Sequence, residues 1–181
     1  MGYTKRAMAL LLALAMSLCL VFSASAATSP TTAPTTVENV TPIAGTNVAN
    51  VTGQVAQVGN GSTGAFNTAV KTVFVDTSAP ELIIATKAFN GAAVSSVTVN
   101  TPSIRIQKNA FKGTKKKNPT IKINGPKTAA DVKVVKGSFN NLNKKAKIVV
   151  NKQTMTKKQF NKLKKKLKNK GFKGKIVRKK F

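Results

Sequence analysis

The chain contains no histidine and no tryptophan, and it has one cysteine, Cys19, and one tyrosine, Tyr3. Four of its 181 residues are acidic, against 31 Lys and Arg, and the formal net charge is +27. Each shortage excludes a chemistry. Without His, and with a lone Cys, there is no imidazole base, no internal disulfide and no zinc site of the Cys/His kind. Four scattered carboxylates do not suit a metal cage or the paired acids of a glycosidase. No Walker sequence, His-based metal motif or Ser-x-x-Lys is present. The composition argues against an enzyme and implies no cofactor, no metal and no small-molecule substrate. A hydrolase on this chain would need an unrecognised Ser or Thr nucleophile with a Lys base. Asp76, Glu81 and Asp131 read instead as turn hydrogen bonds or ion pairs. The length predicts one domain with a tail or linker.

What is there begins with an address. Residues 1–26 have the pattern of a secretory signal peptide: Lys5 and Arg6, an apolar run from Ala7 to Phe22, and small residues at Ala24-Ser25-Ala26. The apolar run is shorter than the ~20 residues a membrane span needs, which separates it from an uncleaved anchor. Leu18 before Cys19 does not suit lipoprotein cleavage. A mature chain from Ala27 lacks His, Cys, Tyr and Trp and carries 29 basic against four acidic residues, or +25.

Composition divides the remainder. Residues 27–36 are a Thr/Pro-rich linker. Residues 37–70 carry no Lys or Arg and one acid, Glu38, and are rich in Val, Asn and Gly. Val48, Val51, Val55 and Val58 could edge a small sheet, but Gly53, Gly59, Gly61 and Gly64 interrupt them, so partial disorder is expected here. Asn39-Val-Thr41, Asn50-Val-Thr52 and Asn60-Gly-Ser62 match the glycosylation pattern, which matters only in a host that modifies it.

From residue 71 to 151 short alternations recur: Val73-x-Val75, Val97-x-Val99, Ile121-x-Ile123 and Ile148-x-Val150, at steps of 24, 24 and 27 residues. Each has the period of a strand with one buried face. Between them recur Ala88-Phe89-Asn90-Gly91, Ala110-Phe111-Lys112-Gly113 and Ser138-Phe139-Asn140. Turns follow the strands at Thr77 to Pro80, Thr101-Pro102 and Gly125-Pro126. Three markers with one period predict a solenoid in which each unit gives one strand of a parallel sheet and one buried Phe.

These units resemble BspA-type leucine-rich repeats of bacterial surface proteins. Val94-x-x-Val97-x-Val99 runs through Pro102, Ile104 and Ile106 to Ala110-Phe111-Lys112-Gly113. Val70-x-x-Val73-x-Val75 runs through Pro80, Ile83 and Ile84 to Ala88-Phe89-Asn90-Gly91. A looser unit runs from Ile121 and Ile123 through Pro126, Val132, Val134 and Val135 to Ser138-Phe139. The chain departs from the pattern in using Val and Ile for Leu, and in Asn118 and Lys145 at the first strand position. The resemblance implies a leucine-rich-repeat-like solenoid of α/β repeat class, and adhesion to host matrix, epithelium or other bacteria.

Residues 152–181 read as a basic capping helix and strand. Thr156-x-x-Gln159 is a capping box, with Met155 and Phe160 placed as a hydrophobic staple. Phe160, Leu163 and Leu167 share one face. Gly171 and Phe172 fit a Schellman ending, and Lys175 to Arg178 a last strand. An uncovered solenoid end exposes core, and this element is the natural cover.

From Leu142 to Phe181 there are 16 Lys and one Arg, with no acid. Charge this one-sided exceeds what solubility needs and points to an anionic partner. Lys rather than Arg favours diffuse contacts. The candidate polyanion-binding residues are Lys144, Lys145, Lys147, Lys157, Lys158, Lys164, Lys165 and Lys168. The reading is a secreted or cell-surface adhesion protein of a Gram-positive bacterium. Its partner is an anionic cell-wall polymer or host glycan, with a protein as a further partner of the repeat surface and peripheral contact with a membrane. The alternative is a nonspecific nucleic-acid or anionic-membrane binder. The signal peptide opposes an intracellular nucleic-acid role, as does the lack of Tyr, Trp and His for base stacking.

Overall fold

The computed structural model describes residues 35–181, so the signal-peptide reading and most of the linker lie outside the described residues. Along the chain run β1 (Thr35–Val37), β2 (Val48–Gly53), β3 (Val55–Val58), β4 (Thr72–Thr77), β5 (Leu82–Ile84), β6 (Ser96–Asn100), β7 (Ile104–Ile106), β8 (Thr120–Asn124), β9 (Val132–Val134), β10 (Lys147–Asn151), the helix α1 (Lys157–Asn169) and β11 (Lys175–Lys179). They wind into a parallel-sheet solenoid of about six turns, with one C-terminal helix and a final strand.

Two sheets form its walls. One is six-stranded in the order β11-β10-β8-β6-β4-β2, the other five-stranded in the order β1-β3-β5-β7-β9, and every pairing is parallel. The alternating Val and Ile residues explain the first sheet. Val73, Val97, Ile121, Ile148 and Ile176 lie in one register column and point into the core, as do Val75, Val99, Ile123 and Val150. Their intervening neighbours face outward, since successive side chains alternate.

The single-sheet expectation is incomplete. Ile83, Ile84, Ile104, Ile106, Val132 and Val134, read from sequence as apolar links between strand and Phe, belong to the second sheet. The solenoid also reaches into the 37–70 segment: β2 pairs with β4 and β3 with β5, and Ala49, Val51, Val55 and Val58 are buried. The glycines that seemed to break this stretch end its strands. Gly53 closes β2, and Gly59 follows β3, both with positive φ.

Between the sheets runs a file of phenylalanines. Phe66, Phe89, Phe111 and Phe139 stack with ring centroids 5.3, 4.7 and 6.2 Å apart, and Phe172 closes the file edge-on at 5.0 Å. All five are buried. The turns after Phe89, Phe111 and Phe139 share one backbone geometry. Gly91 and Gly113 adopt φ of 75° and 78°, and Asn141 takes the same left-handed geometry at 77° in the following turn, where the sequence has no Gly. Asn tolerates that conformation better than other residues with a side chain. The sequence marker thus encodes a buried ring followed by a left-handed residue.

A second file is polar. Asn151 Nδ2 donates to Asn124 Oδ1 at 2.9 Å, Asn124 to Asn100 at 3.1 Å, and Asn100 to Asp76 Oδ1 at 2.7 Å. Each Asn ends its strand and Asp76 stands one residue before the end of β4 in register with Asn100, so strand register fixes the spacing.

In α1 the Thr156 hydroxyl accepts from Gln159 N at 3.3 Å, which is half of the expected capping box. The Gln159 side chain does not complete it: Oε1 accepts from Ala129 N at 3.2 Å and ties the helix to the preceding coil. At the other end Phe172 N donates to Leu167 O and Gly171 N to Lys168 O, both at 3.0 Å, completing the Schellman motif. Phe160, Leu163 and Leu167 are buried in the same core as the strands.

Two substitutions should separate the files. Phe111→Ala removes a ring stacked on both sides and should cost about 3–5 kcal/mol. Asn124→Ala breaks two hydrogen bonds in a partly buried file and should cost about 1–2 kcal/mol. Urea unfolding midpoints give both values. An Asn124→Ala loss equal to that of Phe111→Ala would make the polar file the main support.

Candidate polyanion-binding surface

The eight lysines singled out by sequence fall into two groups on different elements. Lys144 and Lys145 are exposed in the turn that leads into β10. Lys147 begins β10 on the outward face of the six-stranded sheet, half-buried and in register with Lys175 of β11. The other five belong to α1. At 100° per residue, burial of Phe160, Leu163 and Leu167 sends Lys158 and Lys165 to the outward crest. Lys157, Lys164 and Lys168 then follow one flank. Lys164, Lys165 and Lys168 border a shared shallow depression with Asn161 and Asn169.

Lys168 differs from the rest of its group. Its Nζ donates to Gly174 O at 2.8 Å and lies 6.0 Å from the centre of the Phe172 ring. It therefore closes the loop after the helix as well as adding charge. Lys166, on the opposite flank, donates to Ala129 O at 3.1 Å. Partial burial lowers its tendency to hold a proton, and the nearby Lys170 and Lys133 add to the effect.

The first turn of α1 holds Lys157 and Lys158 and no acidic residue. Positive charge at a helix N-terminus opposes the macrodipole, at a cost of about 0.3–1 kcal/mol per group when exposed. No carboxylate relieves it, because the four acids are occupied elsewhere. Glu38 accepts from Asn60 Nδ2 at 3.0 Å and Asp76 accepts from Asn100. Asp131 Oδ2 accepts from the turn amides of Thr128 at 2.8 Å and Lys127 at 3.2 Å. Glu81 pairs with Lys133 at 2.8 Å and Arg105 at 3.2 Å. Arg105 and Lys133 are register neighbours in the five-stranded sheet, so this one carboxylate separates two stacked cations. The Lys133 hydrogen bond holds its carboxyl below the ordinary 4.5 against the opposing effect of burial, and Arg105 adds to the lowering.

Two surface features have no counterpart in the sequence reading. Phe74 is 44 % exposed on the outward face of the six-stranded sheet, above a shallow groove bordered by Asp76, Thr98 and Asn100. A separate depression gathers Lys108, Lys136, Lys170 and Lys173 from two successive turns and the end of α1. No sequence spacing signals this cluster, because stacking of turns assembles it. Among the described residues, no helix is long and apolar enough to cross a membrane. Nor does any group of three His, Cys, Asp or Glu there lie close enough to hold a metal. No family model, curated protein or solved structure matches the chain.

Glu81→Gln should lower stability by about 1 kcal/mol at neutral pH, in the range for exposed ion pairs. Because folding depresses the carboxyl pKa, its stabilisation is present above about 4.5 and disappears as pH falls through the lower folded value. The gap between parent and variant, followed by urea denaturation from pH 7 to pH 2, should therefore close on the acid side. A constant gap would assign the loss to packing rather than charge.

Proposed function

We infer that this is an exported, cell-surface binding protein that uses its basic C-terminal region to hold polyanions such as cell-wall polymers or host glycans. The observation that carries the reading is the outer side of α1. Lys157, Lys158, Lys164 and Lys165 are exposed there without a carboxylate partner, and two of them stand where the helix dipole disfavours positive charge. A bound anion relieves both the mutual repulsion and the dipole conflict, so binding is favoured by a strain the free protein bears.

The same helix argues for a polymer over insertion into a membrane. Its apolar residues Phe160, Leu163 and Leu167 are committed to the core, leaving no apolar face to enter lipid. In this reading α1 and β11 cap the C-terminal end of the solenoid. The coils are a short leucine-rich-repeat-like array, as their resemblance to BspA-type repeats implies. Secretion rests on the signal-peptide pattern of residues 1–26, and adhesion on the resemblance. The remaining outer surface of the coils is then free to meet a protein.

Retention of the protein on purified cell walls, with and without teichoic acid, tests this over a salt series. Retention should require the polymer and fall steeply with salt. Each lysine near an anionic surface contributes about 1 kcal/mol at modest ionic strength. Replacing Lys157, Lys158, Lys164 and Lys165 together by Glu should therefore weaken retention at least tenfold, while any one of them changed to Ala should alter it less than about fivefold. Loss of all binding in one single variant would contradict a diffuse contact. Salt-independent retention would contradict an electrostatic one.

A further inference from the structure

We propose that the depression between the last β-turn of the coils and the end of α1 is a discrete site for one phosphate or sulfate group. This deepens the polyanion reading and rests on it for its biological ligand. The site departs from a diffuse surface in having a defined cavity and a free backbone donor.

The donor follows from how the turns stack. Lys87 N donates to Asn109 O at 3.0 Å, and Asn109 N donates to Gly137 O at 3.0 Å. Each turn thus gives its N–H to the carbonyl of the next. The series ends at Gly137, whose own N–H has no acceptor among the described residues. Where another turn would stand, the chain has gone into α1 instead. The space left is a depression of about 430 Å³, and Gly137 lines it.

Four lysines surround that space: Lys108 and Lys136 from the stacked turns, and Lys170 and Lys173 from the end of α1. Their ammonium groups have no hydrogen-bond or ion-pair partner among the described residues, and no carboxylate lines the cavity. Asn140 also lines it, and its amide is held by a 2.8 Å bond to Asn109 Oδ1. An oxyanion there would accept the hydrogen bond that the carbonyl of a further turn would have accepted, and it would offset the charge of the four lysines that line the space. Flexible ammonium donors suit the several oxygens of a tetrahedral anion without demanding one orientation. The Gly137 amide adds a fixed donor, which the lysine face of α1 lacks.

The test is a titration of the ¹⁵N-labelled full chain with inorganic phosphate, followed at the Gly137 amide. The expected result is a saturable shift that weakens at least tenfold in Lys108→Gln/Lys136→Gln/Lys170→Gln/Lys173→Gln. The shift should persist in the variant carrying Glu at Lys157, Lys158, Lys164 and Lys165. A glycerol-phosphate oligomer run in parallel identifies the source. Tighter binding than inorganic phosphate places a polymer phosphodiester in the site, and equal binding places a free oxyanion there. A Gly137 amide that does not move, or that drifts without saturation alongside every lysine neighbour, overturns the proposal even if cell-wall retention holds. A saturable Gly137 shift without cell-wall retention keeps the site and removes the cell-wall reading.

Discussion

Parallel, in-register pairing between successive coils is the constraint on which the other features depend. Strands in a sheet lie about 4.8 Å apart. A residue type repeated at the coil period is therefore repeated in space at a distance where like groups must interact. For apolar residues this is favourable, and the Val and Ile columns and the phenylalanine file follow from it. For amides it is also favourable, because each is donor and acceptor at once, and the file from Asp76 to Asn151 results. For lysine the same rule is hostile.

The distribution of charge reflects that hostility. In the five-stranded sheet Arg105 and Lys133 are stacked, and Glu81 is set against both. In the six-stranded sheet Lys147 and Lys175 are stacked without such relief. Most other lysines of the C-terminal region lie in turns or on α1, where neighbouring side chains diverge. The fold can thus carry a large excess of positive charge by keeping most of it off its columns. What remains uncompensated is concentrated around one helix and the turns beside it.

Much of this architecture is legible in the sequence where a signal spans several residues and repeats. Val73-x-Val75 and its successors expose the six-stranded sheet because five residues are enough to show alternation. The second sheet is hidden because its strands have three or four residues, and Leu82-Ile83-Ile84 shows no alternation at all. The first coil is hidden because Gly53 and Gly59 look like breakers when they are corners. A fourth copy of the marker, Ala65-Phe66-Asn67, lies inside the low-charge segment and could have revealed it. Of the candidate site, the helix lysines are legible because apolar spacing decides which face is free. Lys168 shows the limit: its bond to Gly174 O depends on how the chain turns after the helix. Lys108, Lys136, Lys170 and Lys173 are far apart in sequence and meet only through the path of the coils.

The polar file has a direction. Asn100 and Asn124 each offer the amide N–H to the coil before and the oxygen to the coil after, and Asn151 ends the file with its oxygen accepting from Gln153 N. A rung with this arrangement is interchangeable with its neighbours. A duplicated 24-residue coil inserted between Asn100 and Asn124 would meet the same donor on one side and the same acceptor on the other. Aligned amides also polarise one another, so a longer file would strengthen rather than dilute its bonds. The length of the protein is thus free to change by whole coils, with Asp76 as a fixed terminal acceptor and the basic helix as a fixed far end. Growth of this kind would move the basic end away from the first coil in equal steps, so that the distance between the two ends becomes a property set by copy number alone.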